Sequence, residues 1–370
     1  MKLLSSAARP TGSRVVGVIA IAAAAAIALS SCAANESPAA AGNATTLAGT
    51  LNGSGASSQG SASDAWIAAF QTTHPDVTIN YSPDGSGAGR KAFIAGGVQY
   101  AGSDSAMSDE ELTGTFAGCA SDSTAIDLPV YVSPIAVIFN VAGVKKLNLD
   151  AATIAGIFKG TITKWNAPAI AALNPGAALP NADITAVHRS DDSGTTKNFA
   201  DYLHQVAPEA WDAKPADTFP YTGGEAAQGT SGVVDAVTGG VNTIGYADAS
   251  RAGTLGVAAL KVGDSFVQYS AKAAAAVVAG SPLATARAEN DIAITLDRKT
   301  SDASHYPLVL VSYLIACQQY PDAATANLVR SYLGYVASSE GQQKAAASAG
   351  SAPLSSQLAA KVAAAIATIK

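Results

Sequence analysis

The chain has 370 residues, 48% of them hydrophobic and 14% charged, and a formal net charge of −6. Such an acidic chain has no electrostatic means of holding nucleic acid or an anionic membrane surface by its overall charge. It is longer than one compact domain usually is, which points to two, and no His-Glu-x-x-His motif or Cys/His cluster suggests a metal site.

The N-terminus carries Lys2, Arg9 and Arg14 with no acidic residue near them, followed by an almost unbroken apolar run from Val15 to Leu29. That run is short for a membrane span and suits the core of a signal peptide. It ends in Leu29-Ser30-Ser31-Cys32, which resembles the lipobox of bacterial lipoproteins; the resemblance implies a signal peptide over residues 1–31 and a lipid on Cys32. Residues 32–45, rich in Ala, Ser, Gly, Asn and Pro, read as a flexible tether. The expected location is extracytoplasmic, lipid-anchored to the outer face of the cell membrane. Loss of the three basic residues takes the net charge to about −9, so an anion must be held by local dipoles rather than by overall charge. The two remaining cysteines, Cys119 and Cys317, are expected to pair in an exported chain. Closing so long a loop is worth on the order of 4 kcal/mol.

From residue 46 the pattern alternates short strands and helices. Leu47 to Leu51 reads as a strand, and Asn52 to Ser58 as its polar exit loop. Trp66, Ile67 and Phe70 have helical spacing; Val77, Ile79 and Tyr81 alternate as a strand. Gly85-Ser86-Gly87-Ala88-Gly89 leads into a helix through Phe93 and Ile94. Tyr100 to Asp104 follows, then an acidic helix start at Ser108 to Glu111. Ile126 to Asn140 is apolar, but Pro129 and Pro134 break it, so a crossover is expected there rather than one strand. A helix is predicted over Asp150 to Phe158, a strand over Asp183 to Val187, a helix over Thr196 to Val206, and a strand through Ile244 and Tyr246. Tyr306 to Ala316 is again strongly apolar, and helices around Ala323 to Ser338 and Ser355 to Ile369 close the chain. Repeated strand–loop–helix units predict α/β sheets covered by helices.

Four loops follow strand candidates and carry Ser, Thr, Asp or Gly, three of them running straight into a helix. Helix N-termini expose unpaired N–H groups and the positive end of the dipole, and open α/β sheets bind ligands at the carboxyl ends of their strands. The loop His188-Arg189-Ser190-Asp191-Asp192-Ser193-Gly194-Thr195 is the most informative. Arg189 supplies a planar charged fork, Asp191 can hold it, and Ser193, Gly194 and Thr195 present hydroxyls and N–H groups at a helix start. This loop closely resembles the R-x-D-G-S-G-T loop of periplasmic phosphate-binding proteins. Gly53-Ser54-Gly55-Ala56-Ser57-Ser58, Gly85-Ser86-Gly87-Ala88-Gly89 and Ala101-Gly102-Ser103-Asp104 resemble the family's other ligand loops. Gly160 to Asn166 and Leu173-Asn174-Pro175-Gly176 resemble its mid-chain landmarks.

The resemblance implies a two-lobed periplasmic-binding-protein fold, each lobe a central β-sheet flanked by helices, with the ligand in the cleft. Lobe I is expected over 46–130 plus 307–370 and lobe II over 131–306. It implies inorganic phosphate as ligand and delivery to the permease subunits of an ABC transporter. It implies no catalysis, no cofactor, no metal, no nucleic acid, a monomer, and membrane contact only through the lipid. Position by position it assigns phosphate binding to Ser57, Ser58, Ser86, Asp104, Arg189, Ser193, Gly194 and Thr195, with Asp191 supporting Arg189. Asp192 departs from the family, which commonly has glycine there; its side chain is expected to face solvent or brace the loop. Asp104 is expected to accept a hydrogen bond from the P–OH that phosphate, unlike sulfate, retains at neutral pH. An unpaired buried acceptor costs ~1–3 kcal/mol, and a site built on one obligatory hydrogen bond can discriminate on the order of 10⁴-fold. Two alternatives are a binding protein for another tetrahedral oxyanion, which Asp104 disfavours, and a secreted phosphatase-like hydrolase. The latter lacks both a G-x-S-x-G elbow and metal ligands. His188 is expected to be structural.

Overall fold

The computed structural model describes residues 47–370; the signal segment, Cys32 and the whole of the tether lie outside the described residues. A nine-stranded mixed sheet runs through the molecule. Its order is Val77–Ser82, Gly49–Gly55, Tyr100–Ser103, Val309–Cys317, Ala125–Asn140, Thr243–Asp248, Thr185–Arg189 and Glu225–Ala227, with Gly256–Val257 also paired to Ala125–Asn140. The first three strands are mutually parallel, as are the last three, and the two in the middle are antiparallel to their neighbours. Each half is therefore a small parallel sheet of the kind that strand–loop–helix units build. A separate three-stranded sheet joins Asn148–Leu149, Ala259–Val262 and Ser265–Val267.

The expected break at Pro129 and Pro134 is not found. Ala125–Asn140 is one strand of 16 residues, almost wholly buried. Proline cannot donate to a ladder, and the strand accommodates both at irregular places. Its register against Val309–Cys317 slips beside Pro129, where Ser312 pairs with Tyr131 and Tyr313 with Pro129. Pro134 is the last residue paired to Val309–Cys317, and from Ile135 onward the partner is Thr243–Asp248. The strand thus passes from one half-sheet to the other and is itself the crossover.

The other predicted elements are present with shifted ends. The Ser108 start forms a capping box with Glu111; Asp150, Ser193 and Ser355 cap the helices Ala151–Lys159, Gly194–Val206 and Ser356–Ala367. Four helices have no counterpart in the sequence reading: Pro168–Leu173, Gly229–Gly239, Ala271–Gly280 and Ser339–Ala349. Cys119 and Cys317 form the expected disulfide, with Cα atoms 5.4 Å apart across 198 residues of sequence. It ties the loop beyond helix Asp109–Leu112 to the end of strand Val309–Cys317. Trp66, Trp165, Trp211, Tyr131 and Tyr246 are fully buried in the core. No helix among the described residues is long and apolar enough to cross a membrane.

Candidate functional site

Parallel strands bring their carboxyl ends to one edge, and the predicted loops all leave from such ends. Gly49–Gly55 delivers Ser57 and Ser58; Val77–Ser82 leads to Gly85 and Ser86; Tyr100–Ser103 ends on Asp104. From the other half, Thr185–Arg189 ends on Arg189 itself and runs through Asp191 into helix Gly194–Val206. Asp104 and Arg189 are each only 3% exposed, so both face the interior between the halves rather than outer surfaces.

Asp104 is the node. It accepts from the Ser58 hydroxyl (2.6 Å) on its own half and from the Thr195 hydroxyl (2.8 Å) on the other. Its backbone N–H donates to Ser86 Oγ (3.1 Å). Gly194 stands against it so closely that an added Cβ would lie 2.7 Å from both Asp104 Cβ and Ser86 Oγ, so the helix start reaches the carboxylate only because position 194 has no side chain. Burial pushes the Asp104 carboxyl above its ordinary value, against the pull of the Ser58, Thr195 and Ser312 hydroxyls and of the Arg189 guanidinium.

Arg189 is held as its loop suggests. Asp191 accepts from Nε (2.7 Å) and from Nη2, fixing the plane of the fork. Burial raises the Asp191 carboxyl, but the hydrogen bonds and charge of Arg189 and the Gly229 N–H outweigh it and hold the group below the usual carboxylate range. Gly85, at φ 104°, passes against the same carboxylate, where a side chain would collide. Ser193 caps the helix through Thr196 N–H (3.2 Å). Asp192 braces the loop from outside, joining Lys91 Nζ (2.6 Å) and Thr218 Oγ1 (3.0 Å). His188 stacks on Phe219 (4.0 Å between centroids) and lies 3.0 and 3.1 Å from the Arg189 and Gly223 carbonyls, a structural position.

Of the predicted residues, the structure brings Ser58, Ser86, Asp104, Gly194 and Thr195 into direct contact, with Arg189, Asp191 and Ser193 alongside. Ser57 is placed differently: its Oγ accepts from Thr230 N–H (2.9 Å) and lies 3.1 Å from Thr230 Oγ1. Thr230 is thus the partner that Ser57 meets on the other half, and the sequence carried its signal, since Gly229-Thr230 starts a helix directly after strand Glu225–Ala227. Asn198 is a second addition. Its amide donates to the carbonyls of Asp104 (2.7 Å) and Gly194 (2.9 Å), and its own oxygen is held by Arg298 (2.6 Å). Arg298 is fully buried and paired with Asp201 (2.7 Å). Nothing in the local sequence foretells a support so distant in the chain. No group of three or more His, Cys, Asp or Glu that could hold a metal occurs among the described residues.

Loops from two α/β halves closing on one carboxylate and one guanidinium define an α/β binding protein of the two-lobed kind. Residues 39–340 match the family described as the PBP superfamily domain. The chain is 37% identical to phosphate-binding protein PstS 3 of Mycobacterium leprae, over 77% of this chain and 78% of that one. It is 35% identical to PstS 2 of Mycobacterium tuberculosis, over 85% and 86% respectively. Among solved structures it resembles a high-affinity periplasmic phosphate-binding protein determined with phosphate bound, with a TM-score of 0.69 and 24% identity over 85% of this chain and 93% of that one; that likeness speaks for the fold. The chain belongs to the PstS family of phosphate-binding proteins.

Proposed function

We propose that this chain captures inorganic phosphate between its two lobes and hands it to the permease subunits of an ABC importer, acting as a monomer held at the outer face of the cell membrane by a lipid on Cys32. The carrying observation is Asp104: a buried carboxylate that accepts hydroxyl donors from both halves beside a guanidinium. An anion site has no use for a carboxylate unless its ligand brings a proton. Phosphate does. Its P–OH donates to Asp104 and takes the place of the Ser58 or Thr195 hydroxyl, which is released to donate to the anion in turn. Hydrogen bonds are conserved in the exchange. Sulfate releases the same hydroxyl but returns nothing to Asp104, leaving two oxyanions facing each other out of water. The Arg189 fork, the hydroxyls of Ser58, Ser86, Ser193 and Thr195, and the N–H groups of Ser58, Gly194 and Thr195 complete the cradle, while Ser57, which meets Thr230, joins the walls beside it. Its positive potential comes from a helix end and one side chain rather than from net charge.

The two lobes, 46–130 plus 307–370 and 131–306, hinge at the crossings near residues 131 and 306. The change of partner along strand Ala125–Asn140 just after Pro134 supports this. Calorimetry of the wild type and Asp104→Asn with phosphate and with sulfate tests the reading. The wild type should bind phosphate and ignore sulfate, and the variant should lose most of that preference. Retention of full phosphate affinity and full discrimination by Asp104→Asn would overturn the role of Asp104; failure of the wild type to bind phosphate would overturn the function.

A further inference from the structure

Helix Ser86–Ile94 carries two consecutive cations, Arg90 and Lys91, and both reach across the cleft. Arg90 is 6% exposed. Within its own half its Nε pairs with Glu111 (2.8 Å) and its Nη1 donates to Ser103 Oγ (3.0 Å). Its Nη2 meets Asp217 Oδ2 (2.5 Å), in the segment between helix Gly194–Val206 and strand Glu225–Ala227 of the other half. The other Asp217 oxygen accepts from Ser105 Oγ (3.3 Å), and its backbone carbonyl accepts from Ser193 N–H (2.9 Å). Asp217 is thereby fastened to the Arg189–Thr195 loop by its backbone and to the opposite half by its carboxylate. Lys91 pairs with Asp192 (2.6 Å), but this outer pair is open to water, the lysine side chain 73% exposed.

We propose that Arg90 and Asp217 form a clasp across the cleft that sets how long the closed form holds its anion, without either touching the anion. The inference rests on the phosphate-binding reading. Separating the halves must break an ion pair that is largely out of water, which is the costly direction. Glu111 and Ser103 keep the Arg90 fork aimed in the open form, so little ordering remains to be done on closure. An anion enters before the pair has formed, so the clasp acts on escape and not on entry. Lys91 and Asp192 are the weaker outer prong, screened by solvent. This also explains the carboxylate that departs from the family pattern: Asp192 is turned to the rim, away from the anion.

The test follows the release of radiolabelled inorganic phosphate from the full chain after a chase with unlabelled phosphate, and its uptake by rapid filtration. The variants are Asp217→Asn, Arg90→Gln and the double variant. Asp217→Asn is the cleaner single change, since Arg90 also serves its own half. Expected are roughly tenfold faster release in each single variant, uptake within about twofold of wild type, and a double variant no faster than Arg90→Gln. Lys91→Ala should alter release by about twofold or less. Wild-type release rates in Asp217→Asn, or additive effects in the double variant, would overturn the clasp. Slower uptake with unchanged release would do so too, since that is what general damage to the fold produces. If the wild type holds no labelled phosphate, the function itself has failed, which is a separate result.

Discussion

The two walls of the cleft solve different halves of one problem. The first, from the ends of Gly49–Gly55, Val77–Ser82 and Tyr100–Ser103, offers the hydroxyls of Ser58 and Ser86 and an acceptor, Asp104. The second offers the charge: Arg189 locked by Asp191, and the N-terminus of a 13-residue helix. They are also held differently. The first wall is stitched by backbone contacts between adjacent strand ends, Gly85 N–H to Gly55 O and Ala56 N–H to Gly102 O, both 2.8 Å. The second depends on side chains, chiefly Asp191 on Arg189 and the buried Arg298 behind Asn198. One wall reads the proton and the other supplies the attraction, so selectivity is assembled only when they meet. Arg189→Ala gives the largest expected effect. It should cost roughly 2–5 kcal/mol of binding, as loss of one partner of a buried charge pair does, and should weaken any tetrahedral oxyanion alike in calorimetric titrations. A changed preference among oxyanions at undiminished affinity would break the division of labour.

A second carboxylate sharpens the comparison. Asp248, at the end of strand Thr243–Asp248, is as buried as Asp104 and lies where strand Ala125–Asn140 changes partners, opposite Ile135. It accepts from Tyr131 OH (3.1 Å) and Ser250 N–H (2.9 Å). Burial, with a smaller push from the Asp104 charge, raises its carboxyl to about 6, against hydrogen bonds from Ser250 and Ser133. A carboxyl raised on folding contributes stability that is full below its unfolded value near 4 and is lost as pH rises through about 6. Asp248→Asn should remove that slope. Thermal melts of wild type and variant should diverge over this window, on the order of 2–3 kcal/mol in all, with the wild type losing ground as pH rises. The preference for phosphate over sulfate should stay intact, because Asp248 belongs to the junction and not to either wall. A lost preference would mean that burial of a carboxylate near the cleft, rather than the position of Asp104, is what discriminates.

Much of this site was legible because its determinants are local. A strand exit, a glycine and a hydroxyl before a helix form a short pattern, and Arg189 to Thr195 contains the whole of it. Gly229-Thr230 has the same pattern, weaker only because the strand before it has three residues, Glu225–Ala227, which hydrophobic periodicity cannot register. The unbroken strand Ala125–Asn140 was hidden for the opposite reason: proline is a reliable local signal, and here the long-range pairing of both half-sheets overrides it. Arg298 and the Arg90–Asp217 pair were illegible on any local ground, since each meets partners about a hundred residues or more away.

Ser57 is where the family resemblance and the observed contacts diverge. The resemblance makes it a hydroxyl ligand of the anion, yet its oxygen accepts the Thr230 N–H from across the cleft and so completes the start of helix Gly229–Gly239. A helix-end donor left without its acceptor costs about 1 kcal/mol. That donor is satisfied only while the walls are together, so Ser57→Ala should weaken phosphate binding by about fivefold, and chiefly through faster release. Thr230→Val keeps the N–H and loses only the hydroxyl contact, so it should change affinity by less than Ser57→Ala does. Were Ser57 chiefly a ligand of the anion, its loss would instead cost as much as that of Ser86, and the two serines would have to be equivalent members of the first wall. Parallel titrations of Ser57→Ala and Ser86→Ala separate the two roles: a clearly greater loss for Ser86, which sits against Asp104 and Gly194, is the outcome consistent with Ser57 joining the walls rather than lining one of them.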